Sequence, residues 1–60
     1  MRVYSITELM RLTRAELCTL LNQITASLWN LPEGSLARHA ALSNLANIRI
    51  VLARRAPSPG

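Results

Sequence analysis

Two tetrapeptides near the start of the chain limit its fold more than any other feature. Ser5-Ile6-Thr7-Glu8 and Thr13-Arg14-Ala15-Glu16 each place a hydroxyl residue three positions ahead of a glutamate. This is the pattern of a capping box, in which the hydroxyl accepts from the N3 amide and the N3 carboxylate accepts from the cap amide. Each box carries an apolar pair at staple spacing, Tyr4 with Leu9 and Leu12 with Leu17. Two boxes so close together mean two helix starts so close together. A short first helix over 6–12 and a second beginning at residue 14 follow. The likeness of YSITEL to LTRAEL is read as two solutions to the same orphan amides, not as a repeat.

The second helix is expected to run to residue 29 or 30, because Pro32 pushes Leu31 out of the helical region. Asn30-Leu31-Pro32-Glu33-Gly34-Ser35 is then a tight connector, with Ser35 as N-cap of a third helix over 36–55. Pro57-Ser58-Pro59-Gly60 reads as a frayed tail. Leu17, Leu20, Leu21, Ile24, Leu28 and Leu31 form one stripe on the second helix, opposite Glu16, Thr19, Asn22, Gln23, Ser27 and Asn30. Ala41, Leu45, Ile48 and Leu52 form a packing seam on the third. A short connector between long helices makes them antiparallel neighbours. The first helix is expected to pack across one end of that hairpin through Ile6, Leu9 and Met10. The fold class is therefore all-α: a single three-helix domain over 1–56 and a tail at 57–60.

A chain of 60 residues is marginal alone unless a disulfide, a metal or association supports it. Cys18 is the only cysteine and His39 the only histidine, so neither an intrachain disulfide nor a Cys/His metal cluster is available. Association is the support left, and the apolar surplus agrees. Cys18 and Trp29 lie about 100° off the second helix's stripe, counting about 100° per residue. On the third helix Leu42, Ala46, Ile50 and Ala53 form a second flank, and Val51 lies on the other side of the seam. A contiguous apolar surface of this kind marks an interface. The expectation is a two-fold homodimer in which two hairpins make a four-helix bundle. The alternative is that the first helix wraps further and Trp29 caps the core.

Catalysis is not expected, and neither is a cofactor or a metal. Glu8 and Glu16 are absorbed by their capping boxes, and Glu33 precedes the third helix, where its charge suits the positive end of the dipole. His39 is expected on an exposed helix position. Cys18 is expected to be a small core hydrophobe, with nothing to activate its thiol. Gly34 and Gly60 make no phosphate-binding loop. The net charge of +4 comes from seven arginines and no lysine against three glutamates. A GC-rich coding sequence accounts for arginine without lysine. The charge itself favours anionic partners, although Arg11, Arg54 and Arg55 also suit helix C-termini. No signal-peptide core and no membrane-long apolar run occur, and a lone thiol fits a reducing compartment, so a cytoplasmic location is expected.

The leading function is a small, self-associating, non-catalytic module that binds a protein partner stoichiometrically. Its expected partner-binding residues are Trp29, Arg38, Leu42, Ala46, Arg49, Ile50 and Ala53, since Trp and Arg are the types most enriched at hot spots. Arg38 and Arg49 border the third helix's seam, where their stems would cover the dimer rim. The runner-up is a DNA-binding helix-turn-helix over residues 5–23, with Arg14 and Thr19 towards the groove and Arg11 on phosphate. Against it stand a break at Leu12-Thr13 shorter than the usual turn and a second helix whose exposed face carries little positive charge. RNA or membrane-surface binding through the third helix is weaker still. Only Tyr4 and Trp29 are available to stack on bases, and Ser43 and Asn47 sit where a basic anchor would carry cations.

Overall fold

The computed structural model describes residues 2–55, and the expected tail at 57–60 lies outside them. Three helices occur in chain order: α1 (Ile6–Leu9), α2 (Arg14–Leu28) and α3 (Leu36–Arg55). The described residues form no strand, as an all-helical fold requires.

Both capping boxes form. The Glu8 amide donates to Ser5 Oγ at 3.1 Å, and the Ser5 amide donates to a Glu8 carboxylate oxygen at 3.1 Å. Thr13 and Glu16 repeat the exchange at 3.1 and 2.9 Å. The second box also explains why α1 is one turn long and not the 6–12 expected. Thr13 must be extended, and its φ of −72° and ψ of 164° place it there. The chain therefore leaves the helix through i→i−3 bonds from the Arg11 and Leu12 amides to the Glu8 and Leu9 carbonyls. At the other end α2 stops at Leu28, with Trp29 as its C-cap. The Ser35 amide then donates to the Pro32 carbonyl across a turn in which Gly34 has φ of 77°. That left-handed φ at the third turn position is where glycine is favoured. Ser35 caps α3 as expected, its Oγ accepting from the Arg38 amide at 3.1 Å.

Two arginines fix the ends of the hairpin. Arg38, near the start of α3, donates to the Leu28 and Leu31 carbonyls at the end of α2. Arg55, at the end of α3, donates to the Met10 and Leu12 carbonyls ahead of α2. With opposite ends of α2 and α3 so matched, the two helices run antiparallel. The guanidiniums satisfy carbonyls that a helix end or turn leaves orphaned. Arg55 therefore stitches two elements together, where a local partner for its own helix end was expected.

The core is made by Leu9, Leu17, Ile24, Ala41, Leu45, Ile48 and Val51, with Tyr4, Ile6, Leu12, Leu20, Leu21, Leu28, Leu31 and Leu52 packed against it. Leu9 is fully buried and Ile6 half-buried, but Met10 is exposed, so it does not share the packing expected of it. Cys18 is exposed as well and is not a core residue. Its position a quarter-turn off the stripe carries it clear of α3.

The buried face of α3 is broader than the expected seam and includes a polar residue. Asn44 is completely buried. Its Oδ1 accepts from the Tyr4 amide at 2.7 Å and its Nδ2 donates to the Arg2 carbonyl at 2.8 Å. One turn on, Asn47 Nδ2 donates to the Tyr4 carbonyl at 3.0 Å. Asn47 is thus not part of a free polar face. The two side chains hold residues 2–4 as an extended strap along α3, and α1 continues the same path over Ile48 and Val51. Leu9 of α1 and Val51 of α3 belong to the same buried cluster. No buried side-chain nitrogen or oxygen among the described residues lacks a partner.

The cap carboxylates make the fold acid-sensitive. Hydrogen bonding from the Ser5 amide, and then the Arg2 guanidinium, holds the Glu8 carboxyl below its usual range, and the Thr13 amide does the same for Glu16. A carboxyl with a lowered folded-state pKa adds stability that is present above its unfolded value, about 4.3, and lost as pH falls through the folded value. The unfolding midpoint is expected to drop between about pH 5 and pH 3. In Glu8→Gln/Glu16→Gln, thermal melts across that range should show a flatter slope. An unchanged slope would place the acid sensitivity elsewhere.

Candidate interaction surface

On α3 the residues turned away from the core form a continuous face. At about 100° per residue, Leu42, Ala46, Arg49 and Ala53 fall within one narrow arc, with Ile50 beside it. All five are exposed, Leu42 by 47% and Ile50 by 44%. They lie opposite Asn44, Ile48 and Val51, which are wholly buried. The alternation of one sequence between two faces thus produces a sealed side and an open side. The open side carries two branched aliphatic side chains separated by Ala46, whose small side chain lets another backbone approach closely.

Charge on this helix has one sign. Residues 36–55 contain Arg38, Arg49, Arg54 and Arg55 and no acidic residue. Arg38 and Arg55 are engaged with carbonyls, which leaves Arg49 and Arg54 to border the open face. Arg38 is half-buried at the connector, so of the expected site residues it is the one with a structural duty.

Trp29 is 85% exposed at the end of α2, so it does not cap the core. Leu36, which the sequence reading passed over, is 88% exposed at the start of α3. Its signal was available: a leucine directly after an N-cap is carried round to the outside by the same register that buries Ala41 and Leu45. Leu36 and Leu42 line a shallow concavity with Glu33, Ser35, Arg38 and His39, which prolongs the open face towards the connector.

That concavity gathers a hydroxyl, an imidazole and a carboxylate. The His39 amide donates to the Ser35 carbonyl at 3.1 Å as part of the helix, but among the described residues no side-chain hydrogen bond joins the His39 imidazole to Ser35 or Glu33, and the Ser35 hydroxyl accepts from the Arg38 amide. Among the described residues no three of His, Cys, Asp or Glu are grouped to hold a metal ion, and no helix is long and apolar enough to cross a membrane. Comparisons with protein-family models, with curated proteins and with solved structures found no match. The reading of the surface therefore rests on its geometry.

Proposed function

We propose that this chain is a non-catalytic interaction module that works by stoichiometric helix-mediated binding, with the open face of α3 as its contact surface and a second copy as its first partner. The observation that carries the reading is the exposure of Leu42, Ala46, Ile50 and Ala53 along a single helix face. Exposed contiguous apolar surface on so small a protein is the mark of an interface.

The spacing of the face suits self-pairing. Two α3 helices laid antiparallel about a two-fold axis at Ala46 bring Leu42 of one copy against Ile50 of the other, and Arg49 against Ser43. Two hairpins so joined make the four-helix bundle. Arg49 and Arg54 then form the rim. We place the chain in the cytoplasm, since a lone cysteine fits a reducing compartment. The helix-turn-helix alternative gains no particular support, since α1 is a single turn and Leu17 and Ile24 commit one face of α2 to the core.

Charge makes the reading testable. Each copy carries a net charge of +4, so two copies repel, and salt screens that repulsion over about 10 Å at 0.1 M. Sedimentation equilibrium should give a dimer that tightens as salt rises from about 0.05 to 0.5 M, and Leu42→Glu should return it to monomer. Binding of a nucleic acid runs the other way, weakening steeply with salt. A monomer at every salt concentration, unaffected by Leu42→Glu, would remove self-association from the proposal.

A further inference from the structure

We propose that the Asn44–Asn47 side of α3 is a peptide-recognition site, kept filled in cis by residues 2–4, whose ligand in trans is an extended segment bearing an aromatic side chain. The site is distinct from the open face of α3 and lies on the opposite side of that helix.

The contacts are those of main-chain recognition. Asn44 takes the amide of Tyr4 and the carbonyl of Arg2, and Asn47 takes the carbonyl of Tyr4. None of the three bonds involves a side chain of the strap, so they read an extended backbone whatever its sequence. Selectivity comes from one position. Tyr4 is half-buried against the core, beside Leu20, Gln23 and Ile24 of α2, and a groove lined by Tyr4, Leu12 and Ala15 continues from it. Val3 and Arg2 are exposed and add little discrimination. The residue in the Tyr4 place must offer an N–H, which excludes proline.

Lifting the strap breaks all three hydrogen bonds and uncovers the seat of Tyr4 beside Leu20 and Ile24, so apolar surface returns to water. The site therefore favours an occupant, and the strap that fills it is tethered to α1 through Ser5. A tethered segment competes at an effective concentration on the order of millimolar. A peptide in trans must overcome that competition unless the strap is disabled.

The test uses the full chain with Tyr4→Pro, which removes both the amide read by Asn44 and the aromatic ring. The probe is a synthetic peptide with the sequence of residues 1–5, Met-Arg-Val-Tyr-Ser. It should bind the variant at least about tenfold more tightly than the unaltered chain, as competition with a tethered segment implies, and should shift the Asn44 side-chain amide signals in NMR. The same peptide N-methylated at its tyrosine should not bind. Failure of the unmethylated peptide to bind a folded Tyr4→Pro chain, or equal binding of both peptides, overturns the proposal. Should Tyr4→Pro fail to fold, native-state hydrogen exchange of the unaltered chain decides. A Tyr4 amide that opens well ahead of the Ile48 amide supports a separable strap. Exchange of both only through global unfolding refutes it.

Discussion

Ile48→Ala is expected to remove most of the stability of this protein, while Ile50→Ala, the same chemical change two residues along, leaves the monomer nearly untouched. Ile48 is fully buried on the sealed face of α3 and Ile50 is on the open one. Truncating a buried isoleucine to alanine costs about 2–5 kcal/mol, because transfer energy is lost and a cavity remains. A domain of this size has only about 3–9 kcal/mol in total, at roughly 0.05–0.15 kcal/mol per residue. Each kcal/mol moves the thermal midpoint of so small a domain by about 4–8 °C. Thermal melts followed by circular dichroism, at concentrations where the chain is monomeric, should therefore separate the two variants by about 10 °C or more. Equal losses would mean that the two faces of α3 are not assigned as described.

Asn44→Ala is the second large effect, expected at about 1–3 kcal/mol, the cost of leaving buried polar partners unmade. Asn44 is the one buried polar residue among those described, and both ends of its amide are used. Its removal orphans the Tyr4 amide and the Arg2 carbonyl together. The strap also gives Arg2 its place, with its guanidinium paired to Glu8 and 4.5 Å from the centre of the Tyr4 ring. Loss of Asn44 therefore loosens the whole segment ahead of α1. Because Asn44 and Tyr4 act through one interaction, the losses in Asn44→Ala and Tyr4→Pro should not add. Denaturant midpoints of the two single variants and the double variant test this. A double variant destabilised by the full sum would show that the two residues act separately.

What was legible in the sequence and what was not divide along one line. Local chemistry was readable: both capping boxes, the Ser35 cap and the Pro32 stop depend on residues within a few positions of one another. The stripe of α2 was readable because it packs mainly on α3, with Tyr4 only at its edge. The face of α3 was read too narrowly because it has two neighbours, and the second is a strap without helical periodicity. A helical wheel places Asn44 between Val51 and Ile48, in the middle of the buried arc. Its polarity hid this, since its partners are backbone groups 40 and 42 positions away that no side-chain pattern records. Arg38 was read as rim cover and Arg55 as a partner for its own helix end, because their actual partners are carbonyls on other elements. The open face was the easier part of the site. Leu42, Ala46, Ile50 and Ala53 were recognised as surplus by counting how much apolar surface a hairpin can cover, and the structure leaves all four exposed. Met10 and Cys18 show the limit of that counting, since a position near the edge of a stripe is settled by how far the neighbouring element reaches.

The most direct test of the open face as a contact surface is an isotope-filtered nuclear Overhauser experiment on an equimolar mixture of labelled and unlabelled chains. If two copies pair through α3, contacts between chains will join the Leu42 methyls of one copy to the Ile50 methyls of the other and cross again at Ala46. Absence of contacts between chains in a sample that sediments as a dimer, or contacts confined to Trp29 and α2, would contradict the account and move the interface off α3.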